Sequence, residues 1–401
     1  MEMQTSAPER PTSTLPLASV VFLDALSYAL ILPLLPFILK DHGAGAIAGG
    51  LLVACHAAMA AISGPLMGSL SDRLGRKMVI VGSLLGTILA YVGFGLTGSL
   101  VGLFASRIFA GAMAGNIGVV QAAVADGSSD ADRGKAMAML TAAWALGFVV
   151  GPAIGVVLPP NAQVAFWPGM IAAAACGVAL LGVAASYRPA NKAGGVTPQG
   201  TAVGAGLPPG QSWSKVELIA LFGVVGMSQT GLVAMTGFWA SSAFQWGARE
   251  VSLLFLWVSL IVVVVQIFGM GRLIKSLGEN KSLLVGVGFT LAACVLLLVQ
   301  PRSRAVLLVS APLLLCGITI TQTLCSALLS KVAAETSRGA VLGLANGVAA
   351  LGRVAGPALC GLLFTYVDPT GPYWLVAAMM GGWILWLGAR QAQLQRAPQA
   401  S

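Results

Sequence analysis

Long apolar runs recur through the whole of this 401-residue chain, and they leave few folds open to it. About 20 apolar residues in a row cross the hydrocarbon core of a bilayer as a helix. Runs near or above that length lie at 16–38, 47–70, 78–98, 100–123, 134–158, 165–187, 215–240, 251–272, 281–300, 304–332, 338–366 and 371–390, which makes twelve predicted spans. In hydrocarbon every backbone N–H and C=O needs a partner within the protein, so these spans are read as helices. They are too long and too continuous for the alternating pattern of a membrane β-barrel. The first run is read as a retained span rather than a cleaved signal, because Asp24 interrupts it and no convincing small-residue cleavage site follows. The expectation is an all-α integral membrane protein with both faces of most helices apolar.

Composition agrees: 57% of residues are hydrophobic and 9% charged, against about a quarter charged in a soluble domain. The net charge of +9 raises the question of an acidic partner such as nucleic acid. The position of the charges answers it. With the N-terminus placed in the cytoplasm, sixteen basic residues fall on that side: Arg10, Arg73, Arg76, Lys77, Arg133, Lys135, Arg188, Lys192, Lys215, Arg272, Lys275, Lys281, Lys331, Arg338, Arg390 and Arg396. Four fall on the other: Lys40, Arg249, Arg302 and Arg304. A bias of this kind orients a chain in a cell (inner) membrane with both termini cytoplasmic, and it needs no nucleic acid. Arg107 and Arg353 are left inside spans. Cys55, Cys176, Cys294, Cys316, Cys325 and Cys360 all sit in apolar runs without metal spacing and read as small buried hydrophobes. With His42 and His56 as the only histidines, no metal site is expected. There is also no Walker loop and no nucleophile elbow, which sets aside ATP-driven transport by this chain alone and an intramembrane hydrolase. One G-x-G-x-x-G, Gly93 to Gly98, closes a span with no strand before it and carries no nucleotide-binding expectation.

The chain repeats itself. Residues 133–155, RGKAMAMLTAAWALGFVVGPAIG, align with 338–361, RGAVLGLANGVAALGRVAGPALCG, so that Arg133 and Gly151 match Arg338 and Gly356. GSLSDRLGRK at 68–77 likewise aligns with GRLIKSLGEN at 271–280. A Gly- and Pro-rich stretch separates the copies. The expected organisation is a tail at 1–15, a six-helix bundle at 16–187, a linker at 188–214, a second six-helix bundle at 215–390 and a tail at 391–401. Related six-helix halves are the architecture of a transporter that rocks around a central site.

A small set of residues carries chemistry. The turn Gly68-Ser-Leu-Ser-Asp72-Arg73-Leu-Gly75-Arg76-Lys77 reverses the chain at a glycine and clusters charge, either as an ordinary topology-holding loop or as a gate. Gly147, Gly151, Pro152 and Gly155 place small residues on one helix face, for generic packing or for a specialised bend. Asp24 is the one acid well inside a span, roughly 12 Å from its cytoplasmic end at 1.5 Å per residue. Keeping it charged there costs about 2.5–3.5 kcal/mol, so it is read as a proton carrier or as a polar group facing a wet cavity. Arg107 is its cationic partner by class, through water. Arg353 either snorkels or binds an anionic group of the substrate. Tyr28, His56, Asn116, Gln121, Gln229, Trp239, Gln322, Asn346 and Arg353 are the candidate cavity residues, with Gln266, Trp144 and Trp257 as further polar and aromatic groups; interhelical bonds or interfacial anchoring are the alternatives for each.

The Gly68–Lys77 string resembles the G-x-L-x-D-R-x-G-R-K signature of the major facilitator superfamily, and Gly147–Gly155 resembles the G-x-x-x-G-P-x-x-G motif of its drug/proton antiporters. The resemblance implies two pseudo-symmetric six-helix bundles, no enzymatic activity, a monomer, a small-molecule substrate and no cofactor beyond the proton as coupling ion. It implies that Gly68, Asp72, Arg73, Gly75, Arg76 and Asp126 gate the cycle, with Arg73 joined to the end of helix 4 at Asp126. It further implies that Arg107, in Arg107-Ile-Phe-Ala-Gly111, takes part in proton coupling with Asp24. The texture of FLDALSYALILPLLPFIL (22–39) and of RIFAGAMAGNIGVVQAAVADGSSDADRG (107–134) is similar to the tetracycline/proton antiporters. Those carry acids in helices 3 and 9, whereas Ala90 and Tyr91 occupy the helix 3 site here, a departure that argues against tetracycline as substrate. The expected function is proton-coupled efflux of small amphipathic molecules or drugs. Proton-coupled uptake of a small metabolite and a non-transporting membrane receptor or scaffold remain the alternatives.

Overall fold

The computed structural model describes residues 14–129, 132–158, 165–187, 213–333 and 338–396; the two tails and the linker drawn from sequence fall largely outside them. Among the described residues there is no strand, and the chain forms twelve helices. These are α1 Leu15–Asp41, α2 Ala46–Leu74, α3 Arg76–Leu96, α4 Leu100–Asp126, α5 Arg133–Val157 and α6 Phe166–Ser186. They continue with α7 Lys215–Phe244, α8 at 248–277, α9 at 279–299, α10 Arg304–Val332, α11 Arg338–Tyr366 and α12 Gly371–Arg396. α8 and α9 run on from each other with a single break at Gly278, whose φ of 77° ends one helix and turns into the next. A left-handed backbone of this kind is open to glycine without steric cost.

Ends and interruptions follow local chemistry. Ser99 caps α4 by accepting from the Gly102 amide, and Ser214 with Glu217 closes a reciprocal capping box on α7. Pro33 and Pro36 take two donors out of α1, and residues Leu32–Leu34 between its two α-helical pieces tighten to a 3₁₀ turn. α8 carries one π-helical stretch, Val265–Gly269, which holds Gln266.

The helices group into two compact units. Within the described residues the first takes in α1 to Ile31, α2 from Met59, α3, α4, α5 to Gly151, and α6. The second takes in Leu32–Ala58, the end of α5 from Pro152, and α7 to α12. Burial of Leu17, Val20, Ile80, Leu84, Val120, Val124 and Val183 makes the core of the first. Leu218, Leu221, Val225, Leu283, Val287, Leu324 and Leu328 make that of the second. Leu32–Ala58 joins the second unit through close contacts: Gly49 lies against the Phe238 ring, Gly50 against the Pro357 carbonyl, and Pro36 against Gly237.

The repeated glycines do the same work in both units. A Cβ at Gly147 would stand 2.6 Å from the Phe22 carbonyl oxygen, and one at Gly151 would stand 2.7 Å from that of Leu26, so α5 lies backbone to backbone on α1. Gly352 and Gly356 place α11 against the Gly223 and Met227 carbonyls of α7 in the same manner. Such approach maximises van der Waals contact where lipid removes any hydrophobic drive for helices to associate. Alanine at these sites forces two backbones apart and is expected to cost about 1–3 kcal/mol. Gly151→Ala and Gly356→Ala should therefore lower the thermal midpoint of the purified protein in detergent. Gly118→Ala and Gly347→Ala, where a Cβ meets nothing within 4 Å, should leave it unchanged or raise it. Equal effects at all four positions would contradict this packing.

Candidate functional site

The interior of the first unit holds a charged and aromatic cluster built from four helices. Asp24 lies on the α1 face turned away from the Gly147 and Gly151 contact, next to Ser27, which bonds across to α6. It is half-buried. Arg107, on α4, is 3% exposed, and its guanidinium carbon lies 4.4 Å from the centre of the Phe94 ring and 5.2 Å from that of Tyr91. A cation over an aromatic face gains about 2 kcal/mol or more when water is excluded, which helps to hold Arg107 inside the bilayer.

The expected Asp24–Arg107 contact runs through water; the contacts described for Arg107 are with aromatic rings. Tyr91 and Phe94 present both rings to Arg107 from α3. In the sequence Tyr91 stands out only by the lack of the acid that similar antiporters carry there. The available signal was the i, i+3 spacing of Tyr91 and Phe94, which puts both rings on one face of α3.

Beside the cluster runs an aromatic surface. Phe148 lies 6.2 Å from Tyr28 and 5.4 Å from Trp144, centre to centre. Trp144, itself 37% exposed, and Phe148 project from α5 on the side opposite Leu146 and Val157, which are also exposed. Other cavity candidates fare differently. Asn116 is 2% exposed and donates to Ser83 Oγ at 3.0 Å, an α4–α3 tie rather than an open group. Gln121 is exposed. Trp239 is 1% exposed and stacks edge-on with Phe244 and Tyr373, which makes it core of the second unit. Trp257 donates to the Leu308 carbonyl, joining α8 to α10. His56, Gln229, Gln322 and Arg353 are half-buried, and Asn346 is exposed with its amide bonded to the Leu342 carbonyl.

At the α2–α3 turn, Gly75 adopts φ 91°. Arg76, the next residue, holds three partners: Asp72 at 2.8 Å, Asp126 at 3.2 Å and the Ser71 hydroxyl. The expected partner of Asp126 was Arg73, which is exposed instead. The positive-φ glycine turns Arg76 back beneath α2, and Arg73 sits a helical turn earlier on the outer face. Gly68 contributes a carbonyl that accepts from Ser71. Gly155 is buried next to Pro152 in the last turns of α5.

The second unit carries the same device with its charges exchanged. Gly278 aligns with Gly75, and the residue after it, Glu279, takes both carboxylate oxygens to Lys331 at the end of α10, at 2.7 and 2.8 Å. Acid stands where Arg76 stands, and base where Asp126 stands. Asn280 accepts from the Trp213 indole at 3.0 Å, tying this turn to the start of α7. The sequence comparison aligned these strings but did not single out Glu279 or Lys331, since the pairing depends on α10 ending beside the turn.

The sequence profile of the Major Facilitator Superfamily matches residues 17–320 and also 218–400. The chain belongs to that superfamily. It is a multi-pass membrane transporter of small molecules and not an enzyme. It is similar to the class C tetracycline resistance protein of Escherichia coli, 27% identical over 373 residues, covering 90% of this chain and 92% of the other. Multidrug resistance protein 2 of Bacillus subtilis (strain 168) is 28% identical over 370 residues, 90% and 91% of the two chains. Among solved structures, the human organic anion transporter MFSD10 (TETRAN) shares the fold with a TM-score of 0.66 at 23% identity, over 95% of this chain and 99% of that one.

The two glycine-linked turns give a direct expectation for this transporter. Each exposed ion pair contributes up to about 1 kcal/mol, but Arg76 serves three acceptors at once. Arg76→Gln should lower the thermal midpoint and slow transport several-fold, while Arg73→Gln at the exposed position should disturb stability less. Stability measurements on both variants at low and high salt check this. A larger loss from Arg73→Gln would overturn the assignment of the bridge to Arg76.

Proposed function

We propose that this transporter is a proton-coupled exporter of small amphipathic molecules. It works as a monomer in the inner membrane, with both termini cytoplasmic and the six-helix bundles at 16–187 and 215–390 as its moving halves. The observation that carries the reading is Asp24. It is the one acidic residue in the interior of a span among the described residues, and it shares its unit with Arg107, buried against the Tyr91 and Phe94 rings. A carboxylate in that setting gains and loses a proton with little structural change, and the adjoining Tyr28, Phe148 and Trp144 rings offer an apolar surface for an amphipathic substrate. Protonation of Asp24 from outside would release substrate there. Deprotonation to the cytoplasm would restore the site. The similarity to tetracycline and multidrug resistance proteins supports the export direction.

Arg107 would keep Tyr91 oriented as the link between proton and substrate, and Asp72, Arg73, Gly75, Arg76 and Asp126 would set when the cytoplasmic side opens. Gly147, Gly151, Pro152 and Gly155 would keep α5 close on α1 so that both move together.

The test uses everted vesicles from cells producing the chain, energised to an acidic interior and challenged with a panel of anionic, neutral and cationic fluorescent amphipaths. Substrates should release protons from wild-type vesicles, and Asp24→Asn should abolish that release while leaving the protein folded. Coupled transport at the wild-type level in Asp24→Asn would refute the coupling role of this residue.

A further inference from the structure

Arg353 is a cation in mid-membrane that the proton-coupling cluster does not use. α11 runs Arg338–Tyr366, which leaves Arg353 fifteen residues from one end and thirteen from the other. At 1.5 Å per residue that is roughly 20 Å to either end of the helix, and the middle of a hydrocarbon core about 30 Å thick lies about 15 Å from either boundary, some twice the length of an arginine side chain. Snorkelling is therefore excluded. No acidic side chain lies in the interior of a span of its own unit among the described residues, and no ion pair or hydrogen bond engages its guanidinium there.

Its direction on the helix says what it faces. Leu344, Leu351 and Leu362 are exposed apolar residues along one side of α11, the side that belongs to lipid. Arg353 and Asn346, seven residues apart, share the opposite side. Along that side Pro357 is buried against Gly50, Arg353 is half-buried and Asn346 is exposed, so the polar face opens progressively towards the cytoplasmic end of the helix. The Arg353 carbonyl meanwhile accepts from Thr230 on α7, which fixes the backbone at this level. The repeat gives independent support. Gly147 aligns with Gly352, and the residue after it, Phe148, stands on the non-lipid side of α5 with Tyr28 and Trp144. Arg353 occupies the equivalent position in the second half.

We propose that Arg353 is an anion-binding subsite and that the transported molecules are amphipathic anions carrying a carboxylate, sulfonate or phosphate group. This deepens the exporter reading and rests on it for the direction of transport. The guanidinium supplies planar paired donors matched to such oxyanions, in a setting from which bulk water is largely withdrawn. An apolar ring system on the same ligand extends along the bilayer-buried helix face, and the anionic head replaces the missing carboxylate partner.

The experiment is equilibrium dialysis of the purified full-length protein in detergent, with no proton gradient, against naphthoate, naphthalenesulfonate and neutral naphthol. Wild type should bind the two anions at least tenfold more tightly than naphthol. Arg353→Gln should abolish that preference, and Arg353→Lys should restore part of it. Absence of anion preference in wild type, or its survival in Arg353→Gln, would overturn the subsite. If anion binding depends on Arg353 while the vesicle experiment shows no coupled proton release, the exporter reading fails and the subsite stands. If protons are released by cationic or neutral substrates alone, the subsite fails and the exporter reading stands.

Discussion

Backbone-to-backbone contact at glycine is the interaction on which the rest of this structure depends. In lipid, two apolar helices gain nothing from hiding their side chains, so their association rests on close packing. Gly147 and Gly151 bring α5 onto the carbonyls of Phe22 and Leu26, and Gly352 and Gly356 bring α11 onto those of Gly223 and Met227. Once those faces are fixed, the residues between them have only one place to go. Phe148 and Arg353, each following the first glycine of its pair, are carried to the side away from lipid. Asp24, on the α1 face left free by the contact, is carried to the interior cluster. Packing thus comes first, and the polar groups are placed by it.

The two halves share a scaffold and differ in chemistry. The first holds an acid, an aromatic-clamped cation and three rings; the second holds one unclamped cation on an open polar face. The cytoplasmic turns show the same relation in simpler form. Gly75 and Gly278 make equivalent left-handed reversals, and the ion pairs that follow them, Arg76 with Asp126 and Glu279 with Lys331, have opposite polarity. The bridge survives this exchange because its energy depends on the product of the charges, not on which partner carries which. Each half therefore keeps its own turn closed onto the end of its own fourth helix, α4 or α10.

Much of this was legible in the linear chain. Twelve spans, their helical state and the pairing of 133–155 with 338–361 follow from apolar length and from spacing, both properties of sequence. Asp24, Arg107 and Arg353 stood out because charge is rare in such runs. The partners of those charges were not legible. Arg107 sits under Tyr91 and Phe94 because α3 and α4 cross at that height, and Arg76 instead of Arg73 meets Asp126 because Gly75 adopts a positive φ. Trp239 and Asn116 carry the same polar and aromatic signals as the other cavity candidates, yet Trp239 packs in a core and Asn116 bonds across to α3.

What the sequence determined by itself was the class of solvent the chain folds in, since a bilayer accepts only segments whose backbone is satisfied internally, and the internal duplication, since related strings at matching offsets need no structure to be seen. What the tertiary structure decided was which side of each helix faces lipid. That choice depends on the few glycines that admit a neighbouring backbone, and it separates the charges that pack, such as Arg107, from those that do not, such as Arg353.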